Sequence, residues 1–373
     1  MARIGWKRNR VVMAKKILLS PYTISFVPTI ITIVIGLLCG LVMLLFTAGE
    51  QALPAFKMIL TGGFSISGAS NGIGRVIFYS IPIMMTGLSV GLAFKADVFN
   101  MGATGQFTMG VYAGVYAGIM WQPIFGPATW VAALFLGAAA GGLWGLLQGL
   151  LQAYRNVNAI VCGIMMNYVA MFVANILVLG NKELYFGGRN WTNSIPHEGL
   201  LPTAGLNKIF VGAGANSGII FGIIFCIAIF FILEKTTLGF EMKAVGYNLN
   251  AARYAGINFE KNILITMTMV GAVAGLGGMM FTNGAAGQKY SLGDVLRPEG
   301  ITGIPVALLA SNHPIGIIFS AIFIAYLQVG GLAVASFGLE PDLVSVITAI
   351  IIFFCSFKVV IRNMYLRLME KVL

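Results

Sequence analysis

Apolar runs of roughly bilayer-crossing length follow one another almost without pause along this chain, and no other feature restricts the fold as much. In hydrocarbon every backbone N–H and C=O must be paired internally, which leaves helices and closed barrels as the spanning structures. A spanning helix needs about 20 apolar residues, a barrel strand about half as many. Ten candidate spans can be drawn: 26–47, 76–94, 104–121, 128–151, 158–179, 216–233, 262–283, 300–311, 314–335 and 342–358. The run 300–311 is too short to cross alone and reads as a half-helix or a tilted, buried segment. Only 9% of the 373 residues are charged, against about 25% in soluble domains. The expectation is an all-α integral membrane protein of about ten transmembrane helices, some interrupted. A single membrane domain, 26–358, then lies between a basic N-terminus, 1–25, and a tail, 359–373.

The net charge of +11 would suggest nucleic acid in a soluble protein. Here it fits the rule that basic residues stay on the cytoplasmic side. Arg3, Lys7, Arg8, Arg10, Lys15 and Lys16 precede the first span with no acid among them. Ten crossings from a cytoplasmic start end in the cytoplasm. That topology puts 16 of the 23 Lys and Arg inside and seven outside. The run Phe26–Thr47 has no small-residue cleavage pattern and reads as an uncleaved first helix. Cys39, Cys162, Cys226 and Cys355 all sit in apolar runs, as packing residues without metal or disulfide spacing.

Between the second and third runs stands a polar break, Lys95 to Gln106, carrying Asn100, Thr104 and Gln106 with Gly102 and Gly105. Unpaired backbone costs several kcal/mol in lipid. This segment must therefore be buried in protein, line a wet cavity or lie at the membrane surface. Gly102-Ala103-Thr104-Gly105-Gln106 recurs as Gly284-Ala285-Ala286-Gly287-Gln288, five crossings later. An inverted repeat pairs interrupted segments in this way, and coincidence in a Gly/Ala-rich chain does so too; both readings stay open. Gly137, Gly141, Gly145 and Gly149 recur every fourth residue, as do Gly110, Gly114 and Gly118. Such stripes let helix backbones approach closely.

The segment 234–261 is polar, and its charges nearly balance. Asn248 or Asn250 can cap a short helix. Ala251, Ala252 and Ala255 keep that helix slim, Tyr254 stands on it, and Gly256 can end it. This suits a docking surface as well as a solvated connector, and sequence physics alone does not choose.

The motifs carry a resemblance that does. Thr236 or Thr237 with Leu238-Gly239, then Ala244-Val245-Gly246-Tyr247-Asn248 and Ala251-Ala252-Arg253-Tyr254-Ala255-Gly256-Ile257, are similar to the coupling segment of ABC-importer permeases of the branched-chain amino acid, ribose and nucleoside type. Gly91-Leu92-Ala93-Phe94-Lys95-Ala96 and Phe99-Asn100-Met101-Gly102, with Gly105-Gln106, resemble the nucleoside-type signature. Ile164-Met165-Met166-Asn167-Tyr168, Gly303 to Leu309 and Asn312-His313-Pro314 match later motifs. The chain departs from the family pattern at Thr104, where relatives commonly carry Glu, at Thr302, where they often carry Asp, and at Pro305 in place of Ala.

The resemblance implies a permease subunit of a bacterial ABC importer in the plasma membrane, moving a neutral solute, with a nucleoside as the first expectation. Phe99, Asn100, Gly102, Thr104, Gly105, Gln106, Asn167, Tyr168 and Gln288 are the expected substrate-pathway residues. Gly239, Lys243, Gly246, Asn248, Ala251, Ala252, Tyr254 and Gly256 are the expected ATPase-coupling residues. Partners implied are ABC ATPase subunits, a second and homologous permease chain, and an extracytoplasmic substrate-binding lipoprotein. No cofactor or metal is expected on this chain; ATP and Mg are used by the ATPase. The sequence holds no Walker A motif and no HExxH, so no catalytic residue is expected. The alternatives are a sugar or branched-chain amino acid permease of the same superfamily, or an ion-coupled secondary carrier.

Overall fold

The computed structural model describes residues 21–65, 69–284, 288–334 and most of 345–372. The basic residues of 1–16, Ala285–Gly287 of the echo and much of 342–358 lie outside the described residues. The long helices are α1 (Pro21–Ala48), α2 (Ala52–Ser65), α3 (Ala69–Lys95), α4 (Ala103–Met120), α5 (Thr129–Arg155), α6 (Ala159–Leu179) and α7 (Gly218–Lys235). They continue as α8 (Thr237–Tyr247), α9 (Leu249–Tyr254), α10 (Phe259–Thr282), α11 (Pro298–Ile301), α12 (Gly303–Leu309), α13 (Pro314–Val334) and α14 (Lys358–Val372).

Among the described residues, seven helical stretches are long and apolar enough to cross a membrane. The run expected at 104–121 is a helix, α4, but falls outside that set. Thr104, Gln106 and Thr108 with four glycines dilute its apolarity, and it can carry them because none of its residues is exposed. Protein surrounds it on every side among the described residues. The short run at 300–311 is two helices, α11 and α12, that share an apolar stretch. Helix α2 is a correction: Lys57 and Gly62-Gly63 interrupt its apolarity, and the reading above left it as a connector.

The chain divides into two compact units. Residues to 60 and from 330 form one. In it, Gly40 of α1 lies against Ile347, and Gly330 against the backbone of Ile59. Residues 61–329 form the other, and α10 runs through its middle against α3, α4 and α5. The glycine stripes explain that arrangement. A Cβ on Gly141 would come 2.3 Å from the Gly271 carbonyl oxygen, and one on Gly110 would come 2.0 Å from that of Gly275. Backbone thus meets backbone, as in small-residue membrane interfaces. The opposite face of α5 exposes Phe135, Leu143 and Leu147, as lipid contact requires.

Gly141→Leu would force α5 off α10. Overpacking of this kind costs about 1–3 kcal/mol. The expected result is a lower thermal midpoint in detergent; an unchanged midpoint would show that the approach does not constrain the fold.

Candidate functional site

Helix α3 ends by a backbone device. Asp97 takes a left-handed conformation, φ +54°. Its N–H donates to the Phe94 carbonyl at 3.3 Å, and that of Val98 to the Ala93 carbonyl at 3.0 Å. These are the two bonds of a Schellman ending, and they satisfy carbonyls that a buried helix end cannot leave open. The break is therefore shorter than the sequence indicated. Only residues 96–102 leave the helix, while Ala103 to Gln106 form the first turn of α4.

That turn begins inside protein, so its N–H groups need partners other than water. Asn167, from α6, provides one. Its Oδ1 accepts from the Gly105 N–H at 2.7 Å, and its Nδ2 donates to the Met101 carbonyl at 2.9 Å. Asn100 Oδ1 accepts from the Gly102 N–H at 3.1 Å, a turn mimic within the break. Asn100 and Gln106 then pair side chain to side chain. Asn100 Nδ2 donates to Gln106 Oε1 at 2.9 Å, and Gln106 Nε2 to Asn100 Oδ1 at 3.2 Å. Gln106 Nε2 also donates to Gln148 Oε1 of α5 at 2.9 Å.

Asn100, Gln106, Gln148 and Asn167 are all buried. A buried amide left unpaired costs about 1–3 kcal/mol, and the set pairs its amides in a polar joint between the break, α4, α5 and α6. Gln148 Nε2 is the one atom of this set without a partner among the described residues. Gly102 lets the joint close, since a Cβ there would come 2.1 Å from Gln148 Nε2. Gln148 escaped the sequence reading; the available signal was an amide in the midst of an apolar span.

Six of the expected pathway residues (Asn100, Gly102, Thr104, Gly105, Gln106 and Asn167) thus meet in one place. Phe99 and Tyr168 are exposed, and the Phe99 ring lies 5.3 Å from that of Phe94. Gln288 is elsewhere. It lines a cavity of about 700 Å³ near the other end of α3, with Arg75, Phe78, Tyr79, His197 and Asn207. Rings beside a few polar groups in a space of this size suit a small polar organic solute.

Beside that cavity, Tyr290 pins the segment after α10. Its hydroxyl donates to Asn175 Oδ1 at 2.8 Å, and Asn175 Nδ2 donates to the Gly293 carbonyl at 3.0 Å. Burial pushes the Tyr290 hydroxyl up to about 12, against the lowering influence of Arg297. It therefore stays a donor throughout the physiological range.

Helices α8 and α9 fold against the break. Thr236 Oγ1 caps α8 by accepting from the Gly239 N–H, and Asn248 Oδ1 caps α9 by accepting from the Ala251 N–H. Gly256 follows α9 at φ +82°. Met242, Val245 and Ala252 face inward, while Phe240, Tyr247 and Tyr254 are exposed. Tyr254 is 95% exposed. Ala251 is exposed too. Lys243 pairs with Glu234 at 3.1 Å. Gly239 lies on the α7 backbone at Ile232 and Leu233. Gly246 touches the break itself: a Cβ on it would come 2.4 Å from the Lys95 carbonyl oxygen and 3.2 Å from Asp97 N.

Residues 72–356 match the family described as branched-chain amino acid transport system / permease component. The nucleoside ABC transporter permease NupB of Lactococcus lactis is 30% identical over 338 residues, 90% of this chain and 92% of that protein. The guanosine ABC transporter permease NupP of Bacillus subtilis is 32% identical over 346 residues, 92% of this chain and 96% of that one. The glucose ABC transporter permease TsgB13 of Haloferax volcanii is 31% identical over 300 residues, 76% of this chain and 75% of that one. No solved structure matches. With its apolar helices and its match across most of their length, the chain is a multi-pass membrane protein that belongs to the branched-chain amino acid transport system permease family, the permease subunits of ABC transporters.

Proposed function

We propose that this permease imports nucleosides across the plasma membrane, with ATP and Mg used by a separate ATPase subunit. The match to permeases named for nucleoside and guanosine, over at least 90% of every chain involved, supports this most. The same reading pairs the chain with a second, homologous permease and with an extracytoplasmic substrate-binding lipoprotein. The 700 Å³ cavity then faces outward and receives the solute. Helices α8 and α9 face the cytoplasm and present Phe240, Tyr247 and Tyr254 to the ATPase. Motion of that face reaches the polar joint through Gly246. The joint is the pivot about which α3 and α4 reorient, and transport follows from different solute affinities in the two arrangements.

Competition tests the solute. Uptake of labelled guanosine by vesicles bearing all subunits is expected to fall with excess unlabelled nucleoside and not with glucose or leucine. The glucose permease among the relatives supplies the rival reading, and suppression by glucose alone would favour it. Tyr254→Ala tests the docking face. A large exposed ring lost from a protein contact weakens binding by roughly tenfold or more. The ATPase should therefore co-purify poorly with the variant, and unchanged co-purification would remove α9 from the interface.

A further inference from the structure

Glu299 lies in the short helix α11, one residue before the apolar run that the sequence marks out, and takes no part in the joint. Its backbone meets the middle of a candidate span. Its backbone carbonyl accepts from Thr86 Oγ1 at 3.0 Å, and Thr86 stands near the middle of the span Gly72–Lys95. The same carbonyl accepts from Thr302 Oγ1 at 2.9 Å. The next residue, Gly300, packs on the first turn of α4: a Cβ there would come 2.4 Å from Thr104 Cα and 2.7 Å from Thr104 Oγ1. The Thr86 bond and the Gly300 packing thus set α11 beside the middle of α3 and the first turn of α4.

The carboxylate has no such support. Glu299 Oε2 is buried and finds no hydrogen-bond partner among the described residues. The nearest cation along the chain, Arg297, lies over the Tyr290 ring at 5.0 Å. An ionisable group at membrane depth is costly unless it is paired, and it is retained where a pathway needs it. Glu299 keeps part of its surface open, so its side chain is not sealed within this chain.

We propose that Glu299 is a solute-contacting residue that accepts hydrogen bonds from the vicinal 2′,3′-hydroxyls of a ribonucleoside. This rests on the nucleoside reading above. An ionised carboxylate only accepts, and its two oxygens can take two donors side by side. A cis-diol presents two hydroxyl donors at that spacing, and acidic side chains hold ribose hydroxyls elsewhere in protein folds. The contact is independent of the base, so one permease can serve several nucleosides.

The test compares uptake of a ribonucleoside with that of its 2′,3′-dideoxy analogue, in vesicles holding the complete transporter. A hydrogen bond to a charged group is worth about tenfold or more. Wild type should prefer the ribonucleoside by at least that factor, and Glu299→Gln, at equal membrane abundance, should bring the ratio near one. Equal uptake of the two compounds by wild type would overturn the proposal without any variant needing to fold. A preference that survives both Glu299→Gln and Glu299→Ala would overturn it as well. Absence of any nucleoside uptake by wild type would instead strike down the underlying nucleoside reading, and this proposal with it.

Discussion

Gly246→Val is expected to cut solute uptake to under about a tenth of wild type while the ATPase subunit still co-purifies and hydrolyses ATP. The first carbon of any side chain at 246 would sit 2.4 Å from the Lys95 carbonyl oxygen. That backbone cannot yield easily. Ala96, Asp97 and Val98 all hydrogen-bond back to Ala93 or Phe94, and Val98 and Ala93 are buried in the core. Overpacking of about 1–3 kcal/mol therefore appears as displacement of α8 from the break, with the exposed face of α8 and α9 intact. Hydrolysis and transport would come apart. Measuring both on the same vesicles decides the matter. Uptake at the wild-type rate would show that motion does not pass through this contact.

Asn167→Ala is expected to act more widely, lowering both the thermal midpoint and uptake. It leaves the Gly105 N–H and the Met101 carbonyl without their bonds to the Asn167 side chain in a buried setting. Each such loss costs about 1–3 kcal/mol. Asn167→Asp keeps the acceptor for Gly105 but turns a carboxylate oxygen toward the Met101 carbonyl in a buried setting, so it should not recover wild-type stability. The neighbouring Tyr168 is exposed, and Tyr168→Ala should shift stability by about 0.5 kcal/mol or less. Equal effects at the two positions would contradict the joint.

How far the sequence could be read follows from the same residues. The break was legible because polar residues between two apolar runs demand an energetic account. Its satisfaction was not, because Gln148 and Asn167 stand 42 and 62 residues away from the groups they meet. The sequence also drew 104–121 as a span like the others, although the helix there, α4, is enclosed by protein. Hydropathy cannot tell a helix buried in protein from one in lipid when glycines and threonines mix with valines. The glycine stripes were readable as close approaches, though not which backbone they approach. Glu299 was overlooked because it falls just outside an apolar run, and only folding carries it to the middle of α3.

The central claim is that this permease moves nucleosides only when a partner hydrolyses ATP. It is tested most directly by labelled guanosine uptake into vesicles bearing all subunits, with and without the ATPase subunit. Uptake that requires both the ATPase and ATP, and that survives an ionophore, is the predicted result. Uptake by this chain alone, collapsed by the ionophore, would contradict the account and identify an ion-coupled carrier.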